Sequence, residues 1–144
     1  MYYFTSDTHF NDELAFKLMH RPFSCMKEHD DTIIANINKT VSKDDVMFCI
    51  GDFTSFNAWV KGLETVKRIN CSVVLIMGNN EWEIVNNMFA GDFSMFRHYC
   101  MKLGFADVLV SYTNVSVDSH HFLPVSEDDI KGGFEYENRN NRAR

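Results

Sequence analysis

Three short polar segments, Asp7-Thr8-His9, Gly51-Asp52 and Gly78-Asn79-Asn80-Glu81, each follow a short apolar run. The runs are Tyr2-Tyr3-Phe4, Val46-Met47-Phe48-Cys49-Ile50 and Val73-Val74-Leu75-Ile76-Met77. Apolar stretches of this length, rich in aromatic and β-branched residues, read as buried strands. Three strands that end in this way deliver Asp, His and Asn side chains to one edge of a sheet. In open α/β sheets the carboxyl edge is where ligands bind. Hard oxygen donors joined by one imidazole suit Mn, Fe or Zn.

The segments between these strands read as helices. Asp12–His20 carries Leu14, Phe16, Leu18 and Met19 and stops before Pro22. Glu28–Thr40 places Ile33, Ile34 and Ile37 on one helical face, and Ser55–Ile69 spaces Trp59, Val60, Leu63, Val66 and Ile69 near the helical period. Two more helices, Glu81–Phe89 and Phe93–Leu103, are predicted around Gly91-Asp92. Val108–Val110 and Val115–Val117 read as short strands in a hairpin. Alternating strands and helices predict an α/β fold with parallel strands at its start. The expected domain is 1–130, and 131–144 is a polar tail with too little apolar surface to fold alone.

Bulk properties narrow the function classes. A length of 144 residues fits one domain. The formal net charge of −6 argues against a broad nucleic-acid surface. A small phosphorylated ligand stays compatible, because a bound cation supplies local positive charge. The four cysteines, at 25, 49, 71 and 100, form no C-x-x-C pair and read as free thiols of a reducing cytosol. No signal-peptide pattern and no apolar run near the ~20 residues of a membrane span are visible, so a cytoplasmic protein without membrane contact is expected. The 13 phenylalanines point to aromatic packing.

Taken together, D-x-H, G-D and G-N-N-E resemble the motifs of the calcineurin-like metallophosphoesterases, which read D-x-H, G-D, G-N-H-[DE], a lone His, then G-H-x-H. Arg21-Pro22-Phe23, Asn36-Ile37-Asn38, Gly51-Asp52-Phe53 and the stretch from Asn114-Val115-Ser116-Val117-Asp118 to Pro124-Val125-Ser126 resemble a small bacterial and phage branch of that family. The resemblance implies a β-sandwich flanked by helices and two divalent metals about 3.5–4 Å apart, bridged by an Asp, that activate water against a phosphate ester. Carried over by motif, Asp7 and His9 would bind the first metal, Asp52 would bridge, Asn79 would bind the second, and Asn80 would face the leaving group.

Two departures qualify this. Asn80 stands where the family has the His that serves the leaving oxygen; Asn donates a hydrogen bond but transfers no proton. General acid chemistry is typically worth ~10²–10⁴-fold, so slow turnover is implied. The lone His and G-H-x-H are missing, and Leu109 leads almost directly into Tyr112-Thr113-Asn114, as though the chain were internally shortened and its second sheet reduced. One divalent ion (Mn, Fe, Zn or Ni) or fewer per chain is therefore expected. His120 and His121 are the residues available as substitute ligands; the plain alternative for them is an exposed loop. The expected activity is hydrolysis or binding of a small phosphomonoester or phosphodiester with weak or lost catalysis. The alternative is an inactive binding or interaction protein, phosphate-sequestering or bound to a host partner. A shortened sheet also predicts a homodimer through 105–123, with Phe105, Val108, Val110, Tyr112 and Phe122 as contacts.

Overall fold

Four parallel strands carry the molecule, and their order places the three polar segments side by side. In the computed structural model, residues 1–110 are described in full and Val125–Ser126 by their backbone. The elements are β1 (Tyr2–Thr5), α1 (Glu13–Leu18), α2 (Met26–Thr40), β2 (Val46–Ile50), α3 (Trp59–Glu64), β3 (Ser72–Met77), α4 (Asn79–Met88), α5 (Phe93–Leu103), β4 (Asp107–Val110) and β5 (Val125–Ser126). The sheet order is β4-β3-β2-β1-β5. β1 to β4 run parallel, and β5 joins β1 antiparallel.

The register aligns Thr5, Cys49, Leu75 and Val108 across the sheet. Side chains alternate between faces along a strand. Met47, Cys49, Val73, Leu75, Met77 and Val108 therefore share one face, and all are buried in a core with Ile33 and Ile37 of α2, Leu63 of α3, Ile84 of α4 and Phe96 of α5. Rings knit this core: Phe53 meets Phe10 at 4.9 Å and Phe105 at 5.1 Å, and Phe89 meets Phe96 at 5.4 Å and Trp59 at 5.7 Å. Such pairs add about 0.5–1.5 kcal/mol each beyond area burial. The opposite face carries Phe4 stacked on Phe48 at 5.3 Å, both half-buried, with Tyr2 and Leu109 exposed. In a sandwich this face would meet a second sheet. The described residues form a single sheet, and the expected strand Val115–Val117 lies outside them.

Two expectations need correction. The single helix over Ser55–Ile69 is broken into a 3₁₀ turn (Phe56–Ala58), α3, and a second 3₁₀ turn (Thr65–Arg68). Gly62 sits so close to the loop after β2 that a Cβ there would lie 1.9 Å from Thr54 Oγ1. Thr65 Oγ1 donates back to the Lys61 carbonyl at 3.2 Å, a bond that bends helices. β4 pairs parallel to β3 after the crossover helix α5, and the hairpin partner expected for it, Val115–Val117, lies outside the described residues. Phe105 and Val108, expected as dimer contacts, are 3% and 1% exposed and belong to the chain's own core. Tyr112, Phe122 and the tail 131–144 lie outside the described residues. No helix among the described residues is long and apolar enough to cross a membrane.

Candidate metal centre

Beyond the carboxyl ends of β1 and β2 the chain keeps pairing. Asp7 N donates to the Gly51 carbonyl at 3.0 Å, His9 N to Asp52 at 3.0 Å, and Phe10 N to Phe53 at 2.8 Å. Two hydroxyls reinforce the seam: Thr8 Oγ1 donates to the Phe53 carbonyl at 3.0 Å and Thr54 Oγ1 to that of Phe10 at 2.7 Å. The seam holds Asp7, His9 and Asp52 at φ of 54°, 49° and 53°. The left-handed region costs an L-residue roughly 1–2 kcal/mol. Asn11, His20 and Ala90 share this conformation, but Asp7, His9 and Asp52 adjoin one another across the seam, and strain of this kind gathers at functional sites.

Their side chains converge. Asp7, His9 and Asp52 each offer a ligand atom, and these atoms all lie within 4.8 Å of one another. His9 Nδ1 stands 2.9 Å from Asp12 Oδ2. A carboxylate only accepts, so Nδ1–H is the donor and Nε2 is the ring nitrogen turned to the cluster. Nε2 faces Asp7 Oδ1 at 4.0 Å. A carboxylate behind the ligating imidazole is the usual second partner of a metal-binding His. Asp12 also caps α1 by accepting from Ala15 N at 3.1 Å. Burial pushes the Asp12 carboxyl up, but the bonds from His9 and Ala15 outweigh it and hold the group below its ordinary value. Burial raises the Asp7 carboxyl above its ordinary value; the Ser6 hydroxyl, 2.6 Å away, opposes this, and the nearby Asp52 charge adds to it. Two carboxylates that repel at this range, beside an imidazole nitrogen, suit a divalent cation.

Two buried groups brace the loops from behind. Glu81, fully buried, accepts from Asp52 N at 2.9 Å, Phe53 N at 2.8 Å and Gly78 N at 3.0 Å. Its burial pushes the carboxyl up to about 7, against the backbone donors that favour the charged form. Glu81 thus does more than cap α4: it ties the loop after β3 to the loop bearing Asp52. The two loops touch so closely that a Cβ on Gly78 would lie 2.7 Å from Gly51 Cα. On the other side, Arg21 donates to the carbonyls of Asp7 and Thr8 and, at 2.7 Å, to His29 Nε2. His29 Nδ1 lies 2.7 Å from Asp30 Oδ1, and Asp30 Oδ2 accepts from Asn11 N at 3.1 Å. Phe16 and Phe23 pack edge-on against the His29 ring.

Of the residues singled out in the sequence, Asp7, His9 and Asp52 converge. Asn79 opens α4 and is exposed; Asn80 follows it, donates its backbone N–H to Asp52 Oδ1 at 3.1 Å, and borders a cleft beside His9. His20 and His98 are exposed, and His120 and His121 lie outside the described residues. Sequence reading missed Asp12 and the Arg21–His29–Asp30 relay. Asp12 three residues after His9 was a usable signal, since that spacing lets a turn fold the carboxylate back; nothing in the sequence joined Arg21 to His29.

A parallel α/β sheet whose carboxyl edge gathers two carboxylates and an imidazole defines a class of metal-centred α/β proteins. Within that class the chain belongs to the calcineurin-like phosphoesterase family, whose sequence profile matches residues 2–141. It is 38% identical over 80 residues to an uncharacterized protein of Methanocaldococcus jannaschii; the match covers 55% of this chain and 46% of that one, so the chain aligns with about half of its relative. The crystal structure of a protein of unknown function from Aquifex aeolicus shares the fold, with a TM-score of 0.56, 22% identity, and coverage of 92% of this chain and 98% of that one.

Proposed function

We propose that Asp7, His9 and Asp52 hold a divalent metal (Mn, Fe, Zn or Ni), and that the protein is a slow phosphoesterase acting on a small phosphomonoester or phosphodiester. The observation that carries this reading is the convergence of three ligand atoms within 4.8 Å, with His9 turned by Asp12 so that Nε2 faces the cluster. A bound divalent ion supplies Lewis acidity toward phosphate oxygens and water. The chain's own residues position and limit the chemistry. Asp52 is the carboxylate shared between the loops, and Glu81 fixes its backbone. Asn79 offers an amide oxygen for a second, weaker ion. Asn80 stabilises the leaving oxygen by donating a hydrogen bond, but the departing group must find its proton in water.

Turnover therefore depends on the leaving group. With Mn added, an activated aryl phosphodiester is hydrolysed slowly and an alkyl ester hardly at all. Asn80→His raises the rate on the alkyl ester by about 10²-fold or more, the scale of general acid catalysis. Wild-type turnover of the alkyl ester at an ordinary ~10 s⁻¹ contradicts the assigned role of Asn80. Complete absence of hydrolysis, with phosphate still bound, favours the alternative of a binding or interaction protein. Of the four free cysteines, Cys49, Cys71 and Cys100 are buried, which supports a reducing, cytoplasmic setting.

A further inference from the structure

Beside the cluster lies a cleft of about 280 Å³. His9, Asp12 and Asn80 line it together with Leu14, Leu18 and Phe56. A larger hollow of about 470 Å³, along Phe56–Lys61, touches no ligand residue. α1 buries none of its own residues: Leu14 and Leu18, one turn apart, are 57% and 68% exposed. Isolated exposed leucines are ordinary. Two in line, which with Ala15 and Phe56 line a cleft that also touches His9, give that cleft its apolar surface.

His9, Asp12, Ser55, Asn57, Asn80 and Glu83 are the polar residues of the cleft. Asp12 and Glu83 are its carboxylates, and no Lys or Arg lines it. Ser55 is 9% exposed and opens on the cleft, and its Oγ finds no hydrogen-bond partner among the described residues, although it lies near enough to Asp12 to help lower that carboxyl. Buried hydroxyls without a partner are uncommon in folded proteins. The volume sits just below the ~300–1,000 Å³ usual for small-molecule sites.

We infer that this cleft seats the alcohol portion of the phosphate ester and selects a small, uncharged, apolar group of phenyl size, with room for one polar atom to meet Ser55. Its acidic lining, Asp12 and Glu83, disfavours further phosphates. This rests on the phosphoesterase reading of the adjoining cluster.

Calorimetry with the full, Mn-loaded protein tests it without turnover. The probes are inorganic phosphate, methylphosphonate, phenylphosphonate and 4-carboxyphenylphosphonate. Phenylphosphonate binds about ten-fold or more tighter than methylphosphonate, as expected for burial of a ring. The carboxylated ring binds more weakly than the plain one. Leu18→Asp and, separately, Leu14→Asp, both at exposed positions, bring the phenyl-to-methyl ratio close to one; Met95→Asp, exposed on α5, leaves it. If phosphate binds but the two phosphonates bind equally, or both leucine variants keep the ratio, the cleft inference is overturned and the metal reading stands. If phosphate does not bind at all, both fall.

Discussion

His9 can serve a metal only in one ring orientation, and Asp12 sets it. With Nδ1–H committed to Asp12 at 2.9 Å, Nε2 is the nitrogen left to bind. Asp12→Asn keeps an oxygen in place but loses the charge that holds the tautomer. Partners of this kind are worth 10–100-fold in metal affinity, so Asp12→Asn weakens Mn binding by about that factor while the fold persists. A calorimetric titration of the metal-free variant reads this directly, and an unchanged Kd removes Asp12 from the site. Asn80 illustrates the opposite case, a residue whose departure from the family pattern is plain in the sequence while its effect depends on the leaving group.

Elements position these residues through their ends rather than their middles. The strands were legible because each is a short apolar run: β1 and β2 keep the expected bounds and β3 gains only Ser72. The three converging side chains were legible because strand ends in a parallel sheet share an edge. The bracing was not legible, because it joins residues far apart: Glu81 reaches Asp52 N across 29 positions and Arg21 reaches Asp7 across 14. The break in the Ser55–Ile69 helix was hidden for a similar reason, since Gly62 answers to Thr54 rather than to its own helix. Glu81 tests the bracing. Three backbone N–H groups converge on its carboxylate, and each buried donor left unsatisfied costs about 1–3 kcal/mol. Glu81→Gln, which cannot accept from all three, destabilises the protein by about 2 kcal/mol or more in urea unfolding. A loss below the usual surface range of about 0.5 kcal/mol would mean that the loops hold without it.

On the scale of the whole molecule, one sheet face is packed by helices and the other keeps Tyr2 at 51% and Leu109 at 42% exposure. β4 stands at the end of the sheet order with Val110 52% exposed. An open edge with apolar side chains is normally covered. A two-fold homodimer through the region 105–123 is the expected cover, now resting on Leu109 and Val110 rather than on the buried Phe105 and Val108. Light scattering at micromolar concentration should give twice the chain mass of 16.7 kDa, and Val110→Lys should halve it. A stable wild-type monomer contradicts the dimer without touching the metal site.

Asp7, His9 and Asp52 are proposed to form a working metal site. Elemental analysis of protein purified without chelator and then equilibrated with Mn tests it most directly. The expected result is about one divalent transition metal per chain, lost in Asp52→Ala, which removes one of the two carboxylates of the cluster. Metal at background level in the wild type, or equal content in Asp52→Ala, would contradict the claim.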